Sequence, residues 1–316
     1  MDAERKTAVG ERVRREWGFE LPDGIWRFWA FLDVLDPSER AALRDLDLSP
    51  LGISGLHAAP DARARDGVDI RVHGRYYRDP PEFLSFLHGG TDGLHYGLWF
   101  DDGRTCSGVA SYYNNDGGGI DLSDGTPLEA VRTVLERSWR DQEADPDGYG
   151  DALRAGCARL REVLTGFETA DRPETGLAYL RAHTHDYVHS PVVPGRITTL
   201  DGAGALAAGR TALDRPPHNG ADEAKFAAYM YELFDDADAL GECVAQAERW
   251  CAAGDPTEAL LLGRDLHWAS HGDPAREAHS AALLSLAYPA LGRPALASLS
   301  AAHHRHRALP NVNLLT

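Results

Sequence analysis

Three histidines lie within seven residues of the chain: His183, His185 and His189. On a β-strand, side chains two residues apart share a face, so His183 and His185 would point the same way and could bind a metal ion. Only Asp186 accompanies them as a further ligand, and no regular element is indicated for this stretch. The sequence therefore favours a polar loop, and a metal hydrolase built on these histidines is the alternative.

A second pair, His267 and His271, is spaced i, i+4 on a predicted helix. The residues between them (WAS) lack the glutamate that a zinc hydrolase of this spacing uses as its base. The tail histidines, within 303–306, indicate a polar surface. The sequence predicts neither a metal site nor a bound cofactor.

Motifs for nucleotides and for nucleophilic catalysis are missing from the sequence. There is no GxxxxGK[ST] phosphate loop and no GxSxG nucleophile elbow. The segment 201–209 (DGAGALAAG) contains GxG without the GxGxxG spacing, and no clear strand precedes it. This motif indicates nucleotide binding only weakly, so an ordinary serine hydrolase or nucleotide-binding enzyme is disfavoured.

The block 75–83 (RYYRDPPEF) holds two carboxylates, Asp79 and Glu82, around two prolines. Its pattern is typical of a helix start, in which both carboxylates accept backbone N–H groups. Asp255 and Glu258 repeat the pattern. A carboxylate with such bonds has a lowered pKa and is a poor general base, so the sequence predicts no catalytic residue. The members of the first block are interpreted as structural: Arg75, Tyr76, Tyr77, Asp79, Pro80 and Glu82.

The first half of the chain is predicted to be α+β. Helices are expected over 1–16, 22–34, 127–143 and 151–165, with capped starts at Asp36, Asp79, Thr126 and Asp255. Alternation over 94–100, the turn 101–103 and the return 105–113 predict an antiparallel hairpin, and 68–78 reads as a further strand.

The second half is predicted to be α-helical after residue 221. Five helices are expected, near 222–235, 238–252, 256–270, 274–290 and 293–307, with short antiparallel connections. A helical-hairpin repeat is an alternative, but its signature residues are missing and a plain bundle is favoured. The predicted domains are 1–165, an α/β domain, and 166–316, a mainly α-helical domain.

Length and charge exclude several classes of protein and of binding partner. The 316 residues are 43% hydrophobic and carry 49 acidic against 32 basic side chains, a net charge of −17. Such a chain builds a sizeable core, and without a basic patch in its sequence it is a poor partner for nucleic acid or an anionic membrane. No apolar run long enough for a membrane span and no secretory signal is visible. The four cysteines form no CxxC pair, which favours reduced thiols in a cytoplasmic protein.

Several motifs carry a resemblance to a known family. The segments 17–23 (WGFELPD), 27–31 (RFWAF), 35–37 (LDP) and 75–83 (RYYRDPPEF) resemble the N-terminal half of the histone PARylation factor family. The segment 92–97 (DGLHYG) fits the following strand of bacterial-type members. Farther along, 202–204 (GAG), 262–266 (LGRDL), 283–288 (LLSLAY) and the tail 304–307 resemble the family's later motifs in the expected order.

The resemblance implies an accessory role in ADP-ribosylation. The eukaryotic factor docks on a poly(ADP-ribose) polymerase and supplies a glutamate that deprotonates the acceptor serine. The family's acidic pair precedes the LGRDL motif by about ten residues, and counting back lands on Ala252 and Ala253. The resemblance therefore implies docking on an NAD-dependent transferase without the catalytic pair. The residues predicted to contact that partner are Asp201, Gly202, Gly204, Asp255, Glu258, Arg264 and Asp265.

A different class of protein remains open at this point. An immunity-type module that blocks a toxin would show the same acidity and the same lack of a catalytic set. The two hypotheses differ in the partner, which is a host transferase in one case and a toxin in the other.

Overall fold

A computed structural model describes most of the chain. The described residues are 3–116, 118–145, 148, 150–171, 195–220 and 222–316. His183, His185 and His189 lie outside them. None of the helices in this part of the chain is long and apolar enough to cross a lipid bilayer.

Four helices open the chain, and three of them match the predictions. Helix α1 spans Ala3–Trp17, α2 spans Asp23–Val34, α3 spans Pro37–Asp45 and the short α4 spans Ile53–Ala58. The aromatic face of α2 is buried in the main core. At α3 the predicted capping box is confirmed, since the carboxylate of Asp36 accepts from the N–H groups of Ser38 and Glu39.

A five-stranded antiparallel sheet forms the centre of the N-terminal half. Its strands, in both sequence and spatial order, are β1 Leu48–Pro50, β2 Phe83–Gly89, β3 Leu94–Trp99, β4 Gly108–Tyr113 and β5 Asp121–Asp124. The predicted hairpin is confirmed as β3 and β4, which pair Leu98 with Val109. Strands β1, β2 and β5 were not predicted.

Both faces of this sheet are buried, each in a different core. Leu84, Phe86 and Leu98 belong to the main core, which also holds the buried faces of the N-terminal helices. The opposite face, with Phe83 and Trp99 among its residues, packs against Trp268 and Ala203 of the C-terminal half. The sheet is thus a middle layer, which explains why β2 lacks the alternating pattern of a half-exposed strand.

Two predictions for the segment before β2 are wrong. Residues 68–78 form turns and a 3₁₀ helix (Ile70–Val72), not a strand, and residues 79–82 turn directly into β2 rather than starting a helix. The Asp79 carboxylate accepts from the N–H of Tyr76, which precedes it, so it does not cap a following helix. A residue before proline is disfavoured in the α region, and this restriction applies to both Asp79 and Pro80.

Helices make up most of the remaining chain. Helix α5 spans Pro127–Ala144 and begins with the predicted capping box at Thr126, and α6 spans Asp151–Asp171. A small pair of strands follows, β6 Arg196–Ile197 and β7 Ala205–Leu206. The five predicted C-terminal helices are confirmed as α7 Glu223–Asp235, α8 Ala237–Ala252, α9 Thr257–Ala269, α10 Pro274–Ala290 and α11 Pro294–His306.

The fold class is therefore α+β, as predicted, with a sheet-containing N-terminal part and a helical C-terminal region. The boundary placed at residue 165 stays a prediction, and α6 runs through it to Asp171. Helix α9 is the central element of the second half, because every residue from Thr257 to Ala269 is buried. A helix buried on all sides cannot keep its charged side chains in water.

Asp124, at the end of β5, gives a pH-dependent stability. Burial raises the pKa of its carboxyl from 3.8 to about 7, opposed by a hydrogen bond from Thr133 Oγ1. The folded state then holds this proton at pH values where the unfolded state has released it. Stability is therefore lost as pH rises from about 4 to about 7, by up to roughly 4 kcal/mol.

Asp124→Asn is expected to remove this loss. The variant should match the wild type near pH 4 and exceed its free energy of unfolding by a few kcal/mol at pH 8. Urea unfolding of both proteins at each pH measures the difference. A constant difference across this range would show that Asp124 is ionised in the folded protein.

Candidate functional site at the junction of the two halves

The side chain of Arg264 joins α9 to the glycine-containing turn at 201–204. Its Nε and Nη2 atoms donate to Asp201 Oδ2 at 2.9 and 2.5 Å, and its Nη1 donates to the Gly204 carbonyl at 3.1 Å. Arg264 and Asp201 are each about 1% exposed. This is a two-donor guanidinium–carboxylate pair inside the protein, the geometry that only arginine offers.

A second carboxylate, Glu82, completes the charge balance around Arg264. Glu82 Oε1 lies 3.6 Å from Arg264 Nη1 and accepts from the hydroxyl of Tyr288 at 3.0 Å. Burial alone lowers the pKa of Arg264, and the charges of Asp201 and Glu82 more than reverse this effect, so the pKa is raised. The guanidinium is permanently charged and joins α9 to the glycine turn and to the residue before β2, and Glu82 extends the network to Tyr288 on α10.

The glycine turn binds protein groups on both sides. Asp201 Oδ1 accepts from Thr199 Oγ1 and from the Ala203 N–H, while its carbonyl accepts from the Ile120 N–H at 2.7 Å. Gly204 has φ +64°, and a Cβ atom there would lie 2.6 Å from the ring of His218. The glycine is needed because the backbone is left-handed and closely packed at this point.

Helix α9 carries two further buried acids, which share Arg215. Arg215 Nη2 lies 2.8 Å from Asp265 Oδ2 and 3.4 Å from Glu258 Oε1. The Leu200 N–H donates to Asp265 and the Ala212 N–H donates to Glu258. Burial raises the pKa of both acids, and Arg215 opposes this rise.

The predicted capping role of Glu258 is wrong. Its carboxylate points to Ala212 and Arg215 rather than to the start of α9, because burial of this helix end calls for a charge partner. The Asp255 carboxylate contacts the Thr257 N–H at 3.4 Å, and its stronger bonds come from the Arg210 backbone and side chain at 3.0 and 3.1 Å.

The block 75–83 forms the other half of the junction. Arg75 donates to the carbonyls of Asp79, Pro80 and Phe83 and holds the turn before β2 closed. The ring of His267, on α9, lies with Nε2 2.9 Å from the Asp79 carbonyl. These residues therefore help to hold the two halves together.

Tyr76 and Tyr77 have separate roles in this block. The hydroxyl of Tyr77 donates to Glu277 Oε1 at 2.5 Å and accepts from the Gly272 N–H, so it ties the block to α10. The ring of Tyr76 lies against the ring of His95, with centroids 4.3 Å apart.

At the centre of the block, Asp79 and His95 form a hydrogen-bonded pair with no exposed side-chain surface. His95 Nε2 lies 2.8 Å from Asp79 Oδ1, which also accepts from the Tyr112 hydroxyl. His95 Nδ1 lies 2.7 Å from the Gly93 carbonyl. Burial raises the pKa of Asp79, but His95, Arg75 and Tyr112 together lower it below the ordinary value.

Both ring nitrogens of His95 thus lie at hydrogen-bonding distance from an oxygen of a neighbouring residue, Asp79 or Gly93.

Of the seven residues predicted to contact a partner, four have side chains buried in these networks: Asp201, Glu258, Arg264 and Asp265. A partner would reach them only after the networks opened. Asp255 lies at the surface, where the guanidinium of Arg210, 61% exposed, sits 4.7 Å from the centre of the Trp250 ring. We call Arg210 and residues 249–256 the junction rim; Ala252 and Ala253 are exposed within it.

Several members of the junction were missed by sequence reasoning. His95 lies on the strand face shared with Trp99, and a histidine on a face that packs against another element was the available signal. Tyr288 lies in a segment already noted for its resemblance. No sequence pattern indicated Arg215, because its partners Glu258 and Asp265 lie 43 and 50 residues farther along the chain.

The histidines considered as metal ligands have other contacts where the structure describes them. His267 faces the Asp79 carbonyl, and His271 Nδ1 lies 3.2 Å from Arg78. Within the described ranges, no three His, Cys, Asp or Glu side chains are arranged to hold a metal ion.

Comparison with known proteins matches the sheet-containing half. Residues 8–149 match the family model of histone PARylation factor 1. The histone PARylation factor 1 of Danio rerio is 30% identical over 103 residues, and that of Mus musculus is 26% identical over 107 residues. Each alignment covers about a third of this chain and 30% of the relative, so the similarity concerns a minority of each protein.

The resemblance to the histone PARylation factor family is thus supported over α1 to α5 and the whole sheet, including the block 75–83. The junction residues on α9 and on the glycine turn lie beyond the matched range.

Proposed function

We propose that the protein is an accessory factor of ADP-ribosylation that binds the catalytic domain of an NAD-dependent ADP-ribosyltransferase. The observation that carries this proposal is the match of residues 8–149 to the histone PARylation factor 1 family. The later motifs, from 202–204 to 304–307, follow in the order expected for that family and pack against the matched half through Arg264 and His267.

The junction rim is the surface assigned to the partner. It is the part of the predicted contact region that reaches the surface, and it offers a partly exposed tryptophan beside an exposed arginine. Tryptophan and arginine dominate the binding energy of many interfaces.

The proposed factor binds its transferase without supplying a general base. Ala252 and Ala253 occupy the positions where the resemblance places the acidic pair. The adjacent Asp255 accepts hydrogen bonds from the Arg210 N–H and guanidinium, which lower its pKa and weaken it as a base. Glu258 is buried. The factor would therefore act through binding.

Binding is tested with the purified transferase catalytic domain of the same organism, identified by affinity capture and immobilised for interferometry. Trp250→Ala is expected to weaken binding at least about tenfold, the size of a modest hot-spot loss. Trp139→Ala is the matched control, since Trp139 is also partly buried and also lies beside an arginine, Arg161. Equal weakening by both variants would remove the rim from the interface. Capture of a toxin, with no binding to any transferase, would contradict the proposal.

A gain-of-function variant tests the role of the missing acidic pair directly. Ala253→Glu is expected to raise serine-linked, hydroxylamine-resistant ADP-ribosylation by the complex about 100-fold, within the range of general-base catalysis. Ala253→Gln, similar in shape but unable to accept a proton, should leave the product unchanged. An unchanged product with Ala253→Glu, in a variant that still binds, would show that position 253 does not face the acceptor.

A further inference from the structure

Four arginines from two segments of the chain line one groove. A cavity of about 530 Å³ opens between α1 and residues 63–71. Arg12 and Arg15 line it from α1, and Arg63 and Arg71 line it from the facing segment. We call this cavity the arginine groove; two carboxylates, Glu16 and Asp69, also line it, so its formal charge is positive on a chain of net charge −17.

Two of the four guanidinium groups are held in place by the fold. Arg12 donates to the carbonyls of Pro60 and Ala62. Arg71 donates to both oxygens of Asp69, at 2.9 and 2.6 Å. Fixed donors lose little conformational entropy when they bind a ligand.

The other two guanidinium groups face water. Arg63 is exposed, and Arg15 is 64% exposed and contacts only Glu16, at 3.1 Å, in the hydrogen bonds of the described residues. Exposed ion pairs between neighbouring residues are weak, so Arg15 can exchange Glu16 for a ligand at little cost.

The positive charges of the groove repel one another. Burial is the main cause that lowers the pKa of Arg12. The charges of Arg15 and Arg63 lower it further, and those of Glu16 and Asp61 oppose them. Asp69 offers little compensation to the rest of the groove, since Arg305 also binds it, at 3.1 Å. An anion placed among these guanidinium groups would relieve the repulsion.

We propose that the arginine groove binds the diphosphate group of a small anion. Guanidinium groups bind phosphate oxygens in pairs, and arginines on two facing walls suit two linked phosphates better than one. The cavity volume lies within the range of small-ligand sites. The inference is independent of the proposed function, because the groove shares no residue with the junction rim.

The sequence alone predicted no basic patch, because it contains no long run of basic residues. The fold corrects that prediction: two arginines of one helix meet two arginines that lie about fifty residues later.

Titration calorimetry of the full chain at low salt tests the proposal, with inorganic pyrophosphate and ADP as probes. We expect the wild type to bind pyrophosphate. Arg15→Ala with Arg63→Ala should weaken binding at least about tenfold, the loss expected when a charge-assisted hydrogen bond is removed. Arg44→Ala with Arg137→Ala is the control, since both residues are exposed, lie outside the groove and change the net charge equally. It should alter the affinity less than about twofold.

Glu16→Gln provides a variant with the opposite sign. Removing this carboxylate should tighten pyrophosphate binding several-fold. If the groove were a cation site, the same change would weaken binding of the cation. Binding of ADP as tight as that of pyrophosphate indicates a site for the diphosphate group alone, and tighter binding of ADP indicates a nucleotide; both support the proposal. No binding of either probe, or equal weakening in the control pair, would overturn it.

Discussion

Replacing Arg264 with methionine is expected to lower the free energy of unfolding by roughly 3–5 kcal/mol, the range measured when one partner of a buried ion pair is removed. The variant keeps the length of the side chain but leaves Asp201 and Glu82 buried without their guanidinium. The Gly204 carbonyl also loses a donor. Urea unfolding measures the change.

The double variant Arg264→Met with Asp201→Asn separates the ion pair from packing. If the unpaired carboxylate causes most of the loss, the double variant will be less destabilised than the two single changes added together, by about 1–3 kcal/mol. Arg249→Met, at an exposed arginine, should change the free energy of unfolding by no more than about 0.5 kcal/mol. Additive single changes would show that Arg264 acts through its packing on Trp99.

Asp79→Asn is expected to cost about 3 kcal/mol. The amide preserves the shape of the side chain but brings N–H donors toward a site that already presents donors from Tyr76, Tyr112 and His95. His95 would also lose its carboxylate partner.

The control for Asp79→Asn is the same chemical change at Asp36. Asparagine caps a helix about as well as aspartate, so Asp36→Asn should be nearly neutral. Urea unfolding of both variants measures the two changes. An Asp79→Asn variant as stable as Asp36→Asn would show that the carboxylate is not the essential partner.

The two aspartates show how far the sequence could predict this fold. Asp36 and Asp79 stand in nearly the same pattern, DPSE and DPPE, and the first begins a helix while the second does not. Around Asp36, local hydrogen bonds decide the outcome, because the residue is exposed. Around Asp79, a second proline and the distant donors His95 and Tyr112 decide the outcome. A short stretch of sequence does not show contacts with residues so far along the chain.

The junction was predictable only in part. The resemblance directed attention to Arg264 and Asp265, and their positions on α9 could be predicted from the helical pattern. Their burial could not, because α9 is enclosed on all sides and lacks the polar face by which an amphipathic pattern reveals orientation. Arg215 contributes to the same network from an irregular segment, where spacing carries no information about partners.

The middle position of the sheet has a consequence for how the protein unfolds. One face of β2, β3 and β4 is covered by residues of the C-terminal half, Trp268 and Ala203 among them, so the part that matches the family model cannot complete its own interior. A chain cut after α6 would present Phe83, Trp99 and Tyr112 to water and leave Asp79 without its contact from His267. The two halves are therefore expected to melt as a single cooperative unit, with one calorimetric transition.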